Sequence, residues 1–198
     1  MGIKGSKTDV TLLLICLAVS FAVNIILAYR LNKLQPTVPE PLASGEMVPA
    51  LAVVSIAGVK EVIEYSNDKR PTIVYMFTPA CPYCYGNLDN IKYLAKNKAN
   101  EYRFIGISLD DAKLSDYLEE VSLNFPVYTR PSNEVFSAYR MGGVPQTVVV
   151  SPEGKIIREW RGAYIDKQRE TVEEFFLLSL PGFKSTISNV PVKNQTVL

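Results

Sequence analysis

Thr72-Ile73-Val74-Tyr75-Met76-Phe77-Thr78-Pro79-Ala80-Cys81-Pro82-Tyr83-Cys84 is the stretch on which the fold turns. Its first six residues form a nearly continuous apolar run, the pattern of a central strand covered on both faces. Two thiols follow, three residues apart, and residues 83–98 then carry Leu88, Ile91 and Leu94 at helical spacing. A strand that ends in Cys-x-x-Cys and opens a helix is the geometry of a dithiol redox site. Cys81 falls at the helix N-terminus, where unpaired N–H groups and the helix dipole favour the thiolate. Cys84 sits about one turn further in, close enough to form a disulfide with little backbone movement. The thiolate is the reactive form, so this placement makes a cysteine useful.

Other readings of the pair are poorer. A Cys-x-x-Cys that is half of a zinc site usually needs four Cys and His ligands. This chain has 3 Cys and no His, and the third, Cys16, lies far away in an apolar segment. No metal and no cofactor is therefore expected. A purely structural disulfide across a helix start closes almost no loop and stabilises little. The lack of histidine also removes Ser-His-Asp and Cys-His catalysis and any His-ligated haem. There is no glycine-rich phosphate loop. The 21 basic and 20 acidic residues leave a net charge of +1 without a basic cluster, so nothing points to nucleic acid.

Upstream, residues 10–29, opened by Val10 and closed by Tyr29, read VTLLLICLAVSFAVNIILAY and hold no charge. Twenty such residues make roughly 30 Å of helix, which matches a bilayer core. A cleaved signal peptide would have a shorter apolar region and a small-x-small site, and none is convincing near Ala28. A retained transmembrane anchor is expected, after a tail over 1–9. Cys16 follows Ile15, where lipoprotein processing wants a small residue, so it reads as lipid-facing or packing. Asn24 is a lone polar group that could pair with a second copy. Lys4 and Lys7 precede the run and Arg30 and Lys33 follow it, a near tie under the positive-inside rule. The N-terminal amine, partly offset by Asp9, tips the reading toward a cytoplasmic N-terminus and an extracytoplasmic bulk. Pro36, Pro39 and Pro41 make residues 30–46 a semi-rigid linker.

Residues 47–181 read as one domain of ordinary size. Strands are expected over 51–56 and 59–65 around Gly58, over 72–77, over 102–109 and over 125–128. A hairpin follows, 147–150 and 156–160, around Ser151-Pro152-Glu153-Gly154. Helices are expected over 83–98, 112–121, 133–139 and 166–180. The order βαβα then ββα gives an α/β domain, a central mixed sheet with helices on both faces. Residues 182–198 are polar and patternless and read as a flexible tail.

Three motifs give this domain a family resemblance. They are the strand–Cys81-Pro82-Tyr83-Cys84–helix unit, Gly143-Val144-Pro145-Gln146-Thr147 before an apolar strand, and Ser151-Pro152-Glu153-Gly154-Lys155 leading to Arg161-Gly162. The first two, about sixty residues apart and in this order, are strongly specific. The domain resembles the thioredoxin fold, and most of all the membrane-tethered thioredoxin-like thiol–disulfide oxidoreductases of bacteria, including the reductases of cytochrome c maturation. The resemblance implies a cis Val144–Pro145 bond beside the cysteines. Pro145 would lie near Cys81 and deny it a metal, and the Val144 backbone would pair with an extended substrate, as an added strand does. Pro82 and Tyr83 would complete the substrate contacts. The chain also departs from the pattern. Tyr75 stands where thioredoxins carry a buried acid, Asn87 where the cytochrome-maturation type carries Glu, and Ala80 where Trp is usual. The proton of Cys84 is left to water, to Tyr75 or to another group.

The expectation is a membrane-anchored enzyme in which Cys81 attacks a protein disulfide and Cys84 resolves the adduct. Its partners would be protein thiol or disulfide substrates and a recycling redox protein, and its soluble domain would be a monomer on the outer side of a bacterial cytoplasmic membrane. Two alternatives stand beside it. Thr78-Pro79-Ala80-Cys81 matches the Thr-x-x-Cys end of a peroxiredoxin site, although Val74 replaces its proline. A tethered redox-sensing or binding module would carry the same fold with an idle pair.

Overall fold

The computed structural model describes residues 7–34 and 39–184. They fall in two compact units, one within Met1–Val38 and one within Pro39–Leu198. The first is a single helix, α1 (Lys7–Leu34). Its segment Val10–Leu31, with mean hydropathy 2.7, is long and apolar enough to cross a membrane, and none of it is buried. The Asn24 amide donates to the Ser20 carbonyl one turn back at 2.8 Å, so the helix itself satisfies this polar group. The helix runs on past Tyr29 into the expected linker.

The second unit is built on a seven-stranded sheet. Its elements are β1 (Leu51–Ser55), β2 (Lys60–Ile63), β3 (Thr72–Phe77), α2 (Pro82–Gly86), α3 (Leu88–Asn97), β4 (Arg103–Ser108), α4 (Leu114–Val121), β5 (Val127–Thr129), α5 (Asn133–Ala138), β6 (Gln146–Val150), β7 (Ile156–Arg161) and α6 (Asp166–Phe176). The strand order is β2-β1-β5-β4-β3-β6-β7. β3 runs parallel to β4 and antiparallel to β6, so the sheet is mixed.

All six residues of β3 are buried, and the alternation of a strand sorts them onto two faces. Ile73, Tyr75 and Phe77 enter a core made by Ile91 and Leu94 of α3, Tyr117 of α4, and Val172 and Phe176 of α6. Val74 and Met76 enter a second core with Leu51, Val53, Ile105, Val135 and Val148. Helices therefore cover both faces. The turn between β6 and β7 uses Gly154 at φ +78°, while Ser151 accepts the Lys155 N–H through its side chain.

Several boundaries differ from those expected. The single helix over 83–98 is two, divided at Asn87 (φ −91°, ψ −3°), whose side-chain oxygen is engaged in the core by the Tyr164 N–H at 3.1 Å. The second strand stops at Ile63, because Tyr65 leaves it for a 3₁₀ turn that places its buried hydroxyl against that of Tyr139. β5 begins at Val127, and Phe125 packs against Phe104 instead of joining the ladder. The last helix ends at Phe176, where Leu177 turns left-handed (φ 48°, ψ 48°) and the chain continues as an irregular strap.

The segments flanking the domain also differ. Residues 39–46, expected in the linker, are fastened to the sheet. Leu42 is buried and its N–H donates to Glu159 at 2.6 Å. Arg161 donates to the Pro39 and Glu40 carbonyls, and Arg140 donates to both Glu46 oxygens at 3.0 and 2.9 Å. At the other end, residues 182–184, expected in the tail, are docked on α2 and α3. The remainder of the expected tail, 185–198, and most of the N-terminal one, 1–6, lie outside the described residues.

Candidate active site

The chain leaves β3 at Phe77 and reaches Cys81 after one tight turn, in which the Cys81 N–H donates to the Thr78 carbonyl at 3.2 Å. Cys81 is the N-cap of α2, in extended conformation (φ −84°, ψ 111°), with Pro82 at the first helical position, where a missing N–H does no harm. Cys81 and Cys84 are joined as a disulfide with Cα atoms 5.2 Å apart. The Cys84 N–H donates to the Cys81 Sγ at 3.1 Å. That bond strengthens if the sulfur becomes a thiolate, which is the physical route by which a helix start favours the charged form.

The two sulfurs differ in access. Cys81 is half-buried, with Pro82 and Tyr83 exposed beside it, whereas Cys84 is fully buried. The loop of Val144 and Pro145 stands opposite. Its peptide bond is cis, and Pro145 is buried. The Val144 carbonyl oxygen lies 3.8 Å from the Cys81 Sγ. A disulfide sulfur carries no proton, so this is a proximity and not a hydrogen bond. The loop is pinned from behind. The Gly162 N–H donates to the Pro145 carbonyl at 2.7 Å, and the Gln146 side chain donates to Glu159 at 2.6 Å and to the Tyr139 carbonyl at 3.0 Å. Cys81, Cys84, Val144 and Pro145 are thus brought together, with Pro82 and Tyr83 at the rim.

Behind Cys84 the surroundings are polar yet neutral. The Asn87 oxygen accepts from the Tyr164 N–H and from the Asn90 amide, both at 3.1 Å. The Tyr164 hydroxyl pairs with Thr147 at 2.6 Å. The Asn87 amide nitrogen and the Tyr75 and Tyr117 hydroxyls are buried without a hydrogen-bond partner. Burial pushes the Tyr75 hydroxyl well above its ordinary pKa, and the neighbouring Asn87 offsets only a little of that because the two do not meet at bonding geometry. Burial pushes Tyr117 and Tyr164 up as well. None of these groups is a base at neutral pH. Tyr75, Tyr117 and Tyr164 share one buried cluster with Cys84, and all three stay neutral there.

Three residues escaped the sequence reading. Glu159 has a side chain only 4% exposed and ties Gln146, Arg161 and the Leu42 N–H together. Glu159 and Arg161, two apart on a strand, share a face, a pairing the alternation could have signalled. Gly86 and Phe183 form a contact that connects the strap to α2, and no local pattern announces it.

A mixed sheet whose central strand delivers a Cys-x-x-Cys pair to a helix start, opposed by a proline loop, defines a thiol–disulfide oxidoreductase on the thioredoxin fold. The chain belongs to the AhpC/TSA family, whose family model matches residues 45–159. It is 21% identical to the thiol-disulfide oxidoreductase ResA of Bacillus subtilis over 182 residues, 89% of this chain and 93% of that protein. It is 29% identical to the methylamine utilization protein MauD of Methylorubrum extorquens, over 59% of this chain and 54% of that one. Among solved structures, a thiol:disulfide interchange protein from Bacteroides sp. matches with a TM-score of 0.56 and 22% identity, covering 69% of this chain and 91% of that chain. The protein is thus a thioredoxin-like enzyme of the thiol–disulfide oxidoreductase class.

Proposed function

We propose that the protein exchanges disulfides with other proteins through Cys81 and Cys84, as a membrane-anchored enzyme. The observation that carries this reading is the unequal exposure of the two sulfurs, with the open one facing the Val144 carbonyl. In the reducing direction, the Cys81 thiolate attacks one sulfur of a substrate disulfide. The other substrate sulfur leaves and takes a proton. Cys84 then loses its proton and attacks the Cys81 Sγ, and the substrate's first sulfur leaves as the second thiol. Two electrons and two protons pass to the substrate, and the enzyme ends as the disulfide seen here. The opposite sequence donates a disulfide. The direction follows from reduction potentials, where about 30 mV corresponds to about 1.4 kcal/mol for this couple. A recycling redox protein closes the cycle.

The substrate would lie extended along the loop and pair with the Val144 backbone, with Pro82 and Tyr83 at its side. The hydrophobic helix supports anchoring over 10–29, and the proposed side for the domain is the extracytoplasmic one, on a near tie of flanking charges. The folded domain would act as a monomer.

The test is Cys84→Ser in the full chain. Mixed disulfides with protein partners should accumulate on a non-reducing gel, and turnover should collapse. Full disulfide-exchange turnover in this variant would overturn the resolving role. Sustained peroxide consumption would favour a Cys81 sulfenic acid cycle, the peroxidase alternative. Recovery of unprocessed full-length protein in the soluble fraction would overturn the anchor.

A further inference from the structure

The strap over 180–184 is fastened to the redox helices at several points. The Gly182 N–H donates to the Asn90 Oδ1 at 2.8 Å, and the Lys184 N–H donates to the Gly86 carbonyl at 3.0 Å. The Lys184 Nζ pairs with Asp89 at 2.5 Å. Between these points the Phe183 ring lies over Gly86 and beside Tyr83, with ring centroids 6.4 Å apart.

Gly86 closes α2. It is not among the glycines at positive φ, so its backbone does not demand glycine, and glycine is a poor helix residue. Space demands it. A Cβ at this position would lie 2.4 Å from the Phe183 ring and 2.8 Å from the Lys184 carbonyl oxygen. The ring could swing aside, but the backbone carbonyl could not without lifting the strap. The sequence thus keeps a helix-weakening residue next to its redox motif, and the structure shows that it seats Phe183.

Tyr83 is 60% exposed and two residues from Cys81, and Phe183 is half-buried, so both rings keep part of their surface in water. A substrate whose disulfide reaches Cys81 carries its neighbouring side chains past this rim. Two adjoining aromatic surfaces accept apolar groups by burial and by ring contacts, and they reward a charged or small polar group far less. We infer that Phe183 is a specificity-determining residue of the disulfide exchange: with Tyr83 it forms an aromatic wall beside Cys81 that takes an apolar side chain flanking the reactive cysteine of a polypeptide substrate. This rests on the oxidoreductase reading above.

The test uses the full chain in detergent micelles, kept reduced at Cys81 and Cys84 by an added small dithiol whose uncatalysed reduction of the peptides is subtracted. Two synthetic disulfide peptides differ only in the residue beside the reactive cysteine, Leu in one and Ser in the other. The wild type should prefer the Leu peptide through KM. Phe183→Ala should raise KM for that peptide about fivefold to tenfold, the range of a lost aromatic anchor, while kcat changes less than about twofold. The preference should then fall toward parity. Phe183→Leu should keep most of it. Gly86→Ala keeps the Phe183 side chain but displaces its ring and lifts the strap, and should reproduce the Phe183→Ala result. A preference unchanged in Phe183→Ala overturns the proposal, as does a wild type with no preference. A shift in the pair's reduction potential with the preference intact makes the strap mere scaffold and also overturns it. A wild type that turns over neither peptide nor a folded disulfide-bonded protein fails at the underlying reading, and is told apart by the absence of any exchange.

Discussion

The two sulfurs of one disulfide sit in opposite surroundings. Cys81 looks out between Pro82, Tyr83 and the Val144 carbonyl, and the Cys84 N–H points at its Sγ. Cys84 is fully buried, in one core cluster with Tyr75, Leu88 and Tyr164. The open side is organised by backbone groups and the sealed side by neutral side chains. A nucleophile needs access and a donor for its charge. A resolving thiol needs proximity and protection from the wrong partner. The fold gives the two sulfurs these different surroundings within a single turn of helix, which suits the roles proposed for Cys81 and Cys84, because the N-cap position faces solvent while the residue three further on turns inward.

The sharpest way to break this comparison is to remove each sulfur in turn. Cys81→Ser should lower disulfide exchange by about 10³-fold or more, since the attacking atom is gone. No mixed disulfide should form. Cys84→Ser should instead trap partners on Cys81. Adducts that form on Cys84 in the Cys81→Ser variant, read by mass spectrometry of trapped peptides, would show that the sealed sulfur is open after all.

Asn87 is the next largest test. Its oxygen satisfies a buried backbone N–H and a buried amide at once. Asn87→Ala leaves both unpaired, at about 1–3 kcal/mol each, but also removes the unpaired Asn87 amide nitrogen, so the oxidised chain should lose about 2–4 kcal/mol net. The measurement is the midpoint of urea unfolding at constant slope. A change below about 0.5 kcal/mol would mean that Cys84 is sealed by packing alone.

Much of the open side was legible in the sequence. Cys81 and Cys84 announce themselves by spacing, and Pro145 through the family resemblance that its Gly-Val-Pro-Gln-Thr run carries. The central strand was legible because six buried residues leave an unbroken apolar run. The sealed side was less so. Asn87 and Tyr75 could be seen only as departures from a pattern, since the pairing of Asn87 with the Tyr164 N–H spans 77 positions and leaves no local trace. The flanking segments were hardest. Prolines made residues 39–46 look like a spacer, yet Arg161 and Arg140 fasten them by donating to carbonyls and a carboxylate far away in sequence. The strap at 182–184 is fixed by acceptors on helices some ninety positions earlier, again without periodicity to betray it.

Tyr75→Phe is a smaller and more discriminating change. The hydroxyl is buried without a partner, and its pKa lies well above the ordinary value, so it stays protonated at neutral pH. Its removal keeps the ring in the core and deletes an unsatisfied polar atom. Stability should rise by about 1 kcal/mol, read in the same urea experiment. Turnover should change little, because a group that cannot ionise here is no base for the Cys84 proton. A severalfold fall in the resolving rate, with folding intact, would show instead that this hydroxyl carries that proton and that the sealed side has a chemical role.

The smallest effect concerns what holds the open side's loop in place. Arg140 stands just before Met141 and the Gly-Gly-Val-Pro run, and it donates to both oxygens of Glu46. The Arg140 hydrogen bond, helped by the Ala43 N–H, holds the Glu46 carboxyl below its usual pKa. Both side chains are roughly 30% exposed, so solvent screens the pair. Glu46→Gln should therefore cost only about 0.5 kcal/mol at neutral pH and low salt, and less in high salt. The sign with pH is fixed. A carboxyl whose pKa is lowered on folding stabilises fully above its unfolded value, about 4.3, and loses that contribution as pH falls through the lower folded value. The stability difference between Glu46→Gln and wild type should be constant from pH 8 down to about 5 and should shrink below about 4. A difference that stays constant below about pH 4 would show that the Glu46 charge contributes nothing to stability, and that the loop is held by its other contacts instead.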